Sequence, residues 1–193
     1  DNVSWIAFIG KDIADIEKTI PQPTQSEVNK LNRPWGLIEV NAEEICNDFE
    51  LITKNRKSIA ISDPHTVTYS PQNIFIEEGA SIQASILNAE NGPIHIGKNA
   101  KIHEGSMIKG PFSLGENAHV VMGSNIREGC TIGIKATAGG ELKNSIIGDF
   151  SNKGHEGYLG DSILGNWCNL GALTNVSNLK NTYSSIKIWD RND

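Results

Sequence analysis

Residues 92–133 read GPIHIGKNAKIHEGSMIKGPFSLGENAHVVMGSNIREGCTIG, and two periods run through them. Ile96, Ile102, Ile108, Leu114, Val120, Ile126 and Ile132 stand at strict six-residue intervals. The longer period is eighteen: Gly92-Pro-Ile-His-Ile-Gly97 returns as Gly110-Pro-Phe-Ser-Leu-Gly115 and, more weakly, as Glu128-Gly-Cys-Thr-Ile-Gly133. A period of six is neither the 3.6 of a helix nor the 2 of a flat strand. Each hexad is then one short strand and a turn, and three hexads close one triangular coil. The aliphatic of each hexad points into the prism, and glycine or another small residue takes the corner, where the backbone turns sharply. Stacked coils let each strand hydrogen-bond to the coils above and below, with aliphatic on aliphatic along the axis.

Upstream, Ile76 and Ile82 keep the six-residue step, before a two-residue insertion between Asn88 and Pro93. Downstream, the ladder is expected to slip at Ala136–Glu141 (ATAGGE), read as an insertion looping out from a corner. It resumes out of phase at Ile147, Leu159, Leu164, Leu170 and Val176. A perfect ladder needs no such disturbance, so the stretch 151–178, SNKGHEGYLGDSILGNWCNLGALTNVSN, is where a site is expected.

Residues 1–34 read as the tail of an upstream domain, with a short strand over 3–9 and a short helix over 12–20 before Pro21 and Pro23. Residues 35–72 read as a connector. Arg33 to Val40 is expected to be extended, and a helix follows with Asn41 as N-cap and Glu44 completing a capping box. This connector is expected to plug the open end of the repeat domain, residues 73–193, which itself is expected to be truncated at its C-terminal end. The chain opens on Asp rather than Met, in keeping with a piece of a longer polypeptide.

The bulk numbers narrow the function. A net charge of −6 argues against nonspecific nucleic-acid binding, which needs a basic face. No apolar run approaches the roughly 20 residues of a membrane span. Cys46, Cys130 and Cys168 form no CxxC pair, which fits free thiols in the cytoplasm. The steps of 8 (His95 to His103) and 16 (His103 to His119) do not set three imidazoles around a zinc ion, so no metal site is expected. No GxxxxGK[ST] loop is present.

The hexad ladder resembles the hexapeptide-repeat family, from about Ile74 to the C-terminus. That resemblance implies an all-β fold, a left-handed parallel β-helix, with a small α/β segment before it. The hand comes from the family, as an exception to the right-handed crossover rule. A more specific resemblance covers Lys143 to Asn178. Lys143, the run Gly154-His-Glu-Gly-Tyr-Leu-Gly-Asp161, the run Asn169-Leu-Gly-Ala172, and Asn178 resemble the acetyltransferase half of a bifunctional bacterial family. Those enzymes acetylate glucosamine-1-phosphate and then uridylylate the product. Glu141 and Lys143 also match a Glu-x-Lys of that family.

The resemblance implies an N-acetyltransferase acting on an amino-sugar 1-phosphate with acetyl-CoA as co-substrate, in a homotrimer. It makes His155 the general base. An amino sugar arrives as ammonium, and a neutral imidazole is suited to take its proton as nitrogen attacks a thioester. Lys143 and Tyr158 are implied to hold the sugar phosphate, Arg127 to add charge there, and Asn169 to meet the sugar's hydroxyl and amine region. Ala172, through its backbone N–H, and Asn178 are implied on the coenzyme side. Ser184 stands where the family has a further lysine, leaving Lys180 and Lys187 as alternatives. A rival reading is a sugar-1-phosphate nucleotidylyltransferase whose β-helix serves only for trimerisation or regulation. A magnesium ion enters only with a nucleotidyltransferase domain ahead of residue 1.

Overall fold

The computed structural model describes Leu31 and residues 33–186. The strand and helix expected within residues 1–30, and Lys187, lie outside the described residues.

Among the described residues, seventeen short strands form three sheets, and every pairing among them is parallel. The first sheet stacks β1 (Val67–Tyr69), β4 (Ile86–Asn88), β7 (Met107–Lys109), β10 (Asn125–Ile126), β13 (Glu141–Lys143) and β16 (Tyr158–Gly160). The second stacks β2 (Ile74–Ile76), β5 (Ile94–Ile96), β8 (Phe112–Leu114), β11 (Cys130–Ile132), β14 (Ile146–Ile147) and β17 (Ile163–Leu164). The third stacks β3 (Ser81–Ile82), β6 (Lys101–Ile102), β9 (His119–Val120), β12 (Thr137–Ala138) and β15 (Asn152–Lys153). The chain visits the sheets in rotation, so the expected all-β solenoid is what it forms.

Register carries the hexad argument into space. Ile96 pairs with Leu114 and Leu114 with Ile132, each eighteen residues on. All seven aliphatics of the ladder are at most 2% exposed. Each such side chain removed from water contributes about 1.5–3 kcal/mol. The first rung starts at Val67, before the expected boundary at 73. Ser58 to Ile61 lies along it: Ile76 N–H donates to Ser58 Oγ (2.9 Å), Ile59 N–H donates to the Ile76 carbonyl (2.9 Å), and Ile61 packs against the core.

Two expectations are corrected. The stretch 136–141 does not loop out. Ala138 occupies the interior position six residues after Ile132, fully buried. The coil there is shortened: Ile132 pairs with Ile147, fifteen residues on, and Ile147 with Leu164, seventeen on. Gly139 and Gly140 let the chain round its corner in fewer residues, Gly140 at φ 71°.

The connector helix is the second correction. α1 spans Gly36–Thr53, with Trp35 at its N-cap, so Arg33 to Val40 is not extended and Asn41 is not a cap. Asn41 lies within the helix and is buried. Its Nδ2 donates to the Gly129 carbonyl at 2.8 Å, and Thr131 Oγ1 donates to its Oδ1 at 2.9 Å. The side chain is thus committed to the solenoid rather than to the free N–H groups of its own helix. Ile38 and Ile45 are buried on the same stripe. α1 lies against β8 and β11 on the outside of the second sheet, and not across the open end.

Candidate active site at the edge between two sheets

The first sheet brings three of the sequence-derived residues together. Ile126 pairs with Leu142, and both point inward and are buried. One residue on in the same register, Arg127 and Lys143 point outward from neighbouring strands, about 4.8 Å apart along the sheet. Glu141 pairs with Tyr158, and Lys143 with Gly160. Arg127, Lys143 and Tyr158 therefore share one outer face.

The face has supporting contacts. Arg127 Nη1 lies 3.4 Å from Glu141 Oε1, which gives each half of the Glu-x-Lys pair its own part. Glu141 lies beside the arginine, while Lys143, itself half-buried, is the other outward residue of β13. Tyr158 is held by its backbone, its N–H donating to Asn175 Oδ1 at 2.8 Å. Its ring lies across Gly160, where an added Cβ would collide with the phenol oxygen and two ring carbons. Burial, and after it the Asp161 carboxylate, push the phenol's pKa up, so its oxygen keeps the proton and can donate it.

His155 sits on the corner between β15 and β16, where the chain passes from the third sheet to the first. It is exposed, and its ring makes no hydrogen bond among the described residues. Ala172 lies on the next corner up, where Leu173 N–H donates to the Glu156 carbonyl at 3.0 Å. The N–H of Ala172 donates to no backbone carbonyl among the described residues. Asn178 follows Val176, which bridges to Leu159, and so extends the first-sheet side of the same edge.

Asn169 is the residue that the fold sets apart. It bridges to Asn152, and Asn152 Nδ2 donates to its Oδ1 at 2.7 Å. This adds a rung to the third sheet, so Asn169 flanks the His155 corner from the opposite side to Lys143 and Tyr158. Lys180 is exposed and its Nζ donates to the Ser185 carbonyl at 3.2 Å.

Two groups here escaped the sequence reading. Lys109 lies one strand below Arg127 in the same outward row, on a groove of about 270 Å³ lined also by Asn88, Met107 and Arg127. Lys153 is the second. A six-residue step from Ile147 lands on it and another lands on Leu159, so it occupies an interior rung reserved elsewhere for an aliphatic. That arithmetic was available in the sequence, and the residue type concealed it.

The chain is similar to the bifunctional protein GlmU of Thermodesulfovibrio yellowstonii: 38% identical over 107 residues, which is 55% of this chain and 22% of that protein. No family model matches the chain. No described helix is long and apolar enough to cross a membrane.

Proposed function

We propose that the chain carries the sugar-phosphate and general-base side of an acetyl-CoA-dependent N-acetyltransferase acting on an amino-sugar 1-phosphate such as glucosamine-1-phosphate. The observation that carries the reading is the shared outer face of Arg127, Lys143 and Tyr158, ending at the corner that bears His155. The similarity to a bifunctional protein agrees with the family resemblance of residues 143–178.

In this reading two cations and a phenol bind the phosphate. Arg127 offers a planar fork, Lys143 a point charge, and Tyr158 a protonated hydroxyl. Phosphate held on the sheet directs the sugar's amino group towards the prism edge. There the His155 imidazole takes one proton from the ammonium group, and the freed nitrogen lone pair attacks the acyl carbon of the thioester. The C–S bond breaks as the C–N bond is completed, and the coenzyme leaves as a thiolate that takes up the second proton shed by the acylated nitrogen. The free N–H of Ala172, one corner above, is suited to the thioester oxygen, and Asn178 borders the same end. Asn169 reaches the acceptor from the far side of the edge. The assembly is proposed as a homotrimer in the cytoplasm.

The test is acetyl transfer from acetyl-CoA to glucosamine-1-phosphate by the purified protein, followed as release of free CoA thiol. Turnover that depends on the amino sugar phosphate, and is lost with glucose-1-phosphate, supports the reading. Sugar-nucleotide synthesis without any acetyl transfer favours the rival nucleotidylyltransferase reading.

Gly160→Ala tests the phosphate face without touching a proposed contact. The methyl group displaces the Tyr158 ring from its seat. Loss of one hydroxyl contact to an ionised phosphate is worth about 1.5 kcal/mol, or roughly tenfold. The expected result is a KM for the sugar phosphate raised about tenfold with a smaller change in kcat. An unchanged KM removes Tyr158 from the binding face.

A further inference from the structure

We propose that Lys153 is a positioning residue for the proposed general base: its buried ammonium group clamps the corner that carries His155. The inference rests on the reading of His155 given above.

Lys153 is 1% exposed. Its Cα pairs with Ala138 in the coil below, a fully buried alanine at the interior position between Ile132 and Leu142. A small residue and a long one therefore stand on neighbouring rungs of the interior ladder. The ammonium group donates to the Gly139 carbonyl at 3.0 Å and to the His155 carbonyl at 2.6 Å. One of these carbonyls belongs to the corner below, and the other to the residue whose ring is the proposed base. Both bonds are charge-assisted, which makes them the strong kind.

The site has a reason to need such a clamp. Corner 154–157 is held from below by Glu141 N–H donating to the Gly157 carbonyl (3.2 Å) and from above by Leu173 N–H donating to the Glu156 carbonyl (3.0 Å). Neither bond fixes His155 itself. Gly140 lies directly beneath, where a Cβ would stand 3.0 Å from the His155 carbonyl oxygen and 2.7 Å from that of Gly157. The corner is thus packed closely on the coil below, and the lysine ties the two together at the residue that bears the imidazole. The ring is exposed and makes no hydrogen bond among the described residues that would orient it, so its aim depends on the backbone.

The arrangement is expensive for a merely structural device. Burial penalises the charged form of Lys153 and lowers its pKa, with the exposed Glu156 carboxylate opposing the shift. An aliphatic residue would continue the ladder without that penalty. A buried cation retained where the repeat calls for Leu or Ile is the kind of local rule-breaking expected at a site.

The experiment uses Lys153→Met and Lys153→Leu in the purified protein, with His155→Ala alongside. Met keeps the stem and removes the charge, and Leu restores the repeat. The readouts are unfolding cooperativity, acetyl-transfer kinetics, and amide hydrogen exchange at residues 155–158. The expected result is a folded protein with kcat reduced about 10- to 100-fold, as for a base displaced by about an ångström. The KM for the sugar phosphate stays within about twofold, because Arg127, Lys143 and Tyr158 lie on the sheet, and exchange at 155–158 is faster. If His155→Ala abolishes transfer while both lysine variants keep full kcat, the clamp is overturned and the base assignment stands. If His155→Ala transfers normally, the base assignment fails, and unchanged exchange at 155–158 in the lysine variants then also overturns the clamp. If neither lysine variant folds, Lys153 is a requirement of the solenoid and the positioning role is overturned.

Discussion

His155→Ala is expected to lower the rate of acetyl transfer by about 10²–10⁴-fold. The effect falls on kcat and kcat/KM together, since the proton is taken only as the transition state forms. The imidazole is exposed and makes no hydrogen bond among the described residues, so its removal leaves stability within about 0.5 kcal/mol. This combination separates chemistry from packing: the same unfolding curve, a much slower enzyme. A His155→Ala protein that transfers acetyl groups at the wild-type rate makes the corner a structural turn and removes the base from the proposal.

Phe112→Ala is expected to give the largest loss of stability. The ring is fully buried on β8, with Ile94 below and Cys130 above in the register. Neighbouring coils cannot close over the void, because each rung is pinned by parallel hydrogen bonds on both sides. Gly115, at the end of the same strand, shows how little freedom there is: an added Cβ there would stand 2.6 Å from the Gly133 carbonyl carbon. Truncation of a buried Phe costs about 3–5 kcal/mol. At about 2–4 °C per kcal/mol for a chain of this size, the midpoint falls by roughly 6–20 °C. Denaturant unfolding measures it, with the slope unchanged if the solenoid still unfolds as one unit. Met107→Ala, on an outward position at 48% exposure, is the control and stays within about 0.5 kcal/mol. A loss below 1 kcal/mol for Phe112→Ala contradicts the close packing of that rung.

The repeat region was legible because its physics is periodic. An aliphatic every sixth residue states which side chain points inward, and a period of eighteen states how many strands close a coil. Both follow from backbone geometry that recurs unchanged from Gly92 to Gly133. The His155 motif was legible for a different reason, through residue types at matched spacing rather than through any periodicity.

Where one coil shortens, the periodicity argument weakens. Whether ATAGGE bulges outward or tightens a corner depends on the register of strands fifteen residues apart, and local sequence is compatible with either. The structure decided it, and in doing so set Arg127 beside Lys143 and placed Asn169 around the edge from them. Asn41 shows the same limit at the helix. Its sequence context is that of a cap, and only the docking of α1 on Gly129 and Thr131 shows where its hydrogen bonds go.

The sequence by itself determined the coil, its interior ladder and the residue types of the proposed site, because these depend on spacing along one chain. Only the tertiary structure decided which of those residues share a face, what α1 covers, and that a lysine stands inside the prism. Each of those depends on contacts between coils, and a shortening of one coil by three residues re-registers everything above it.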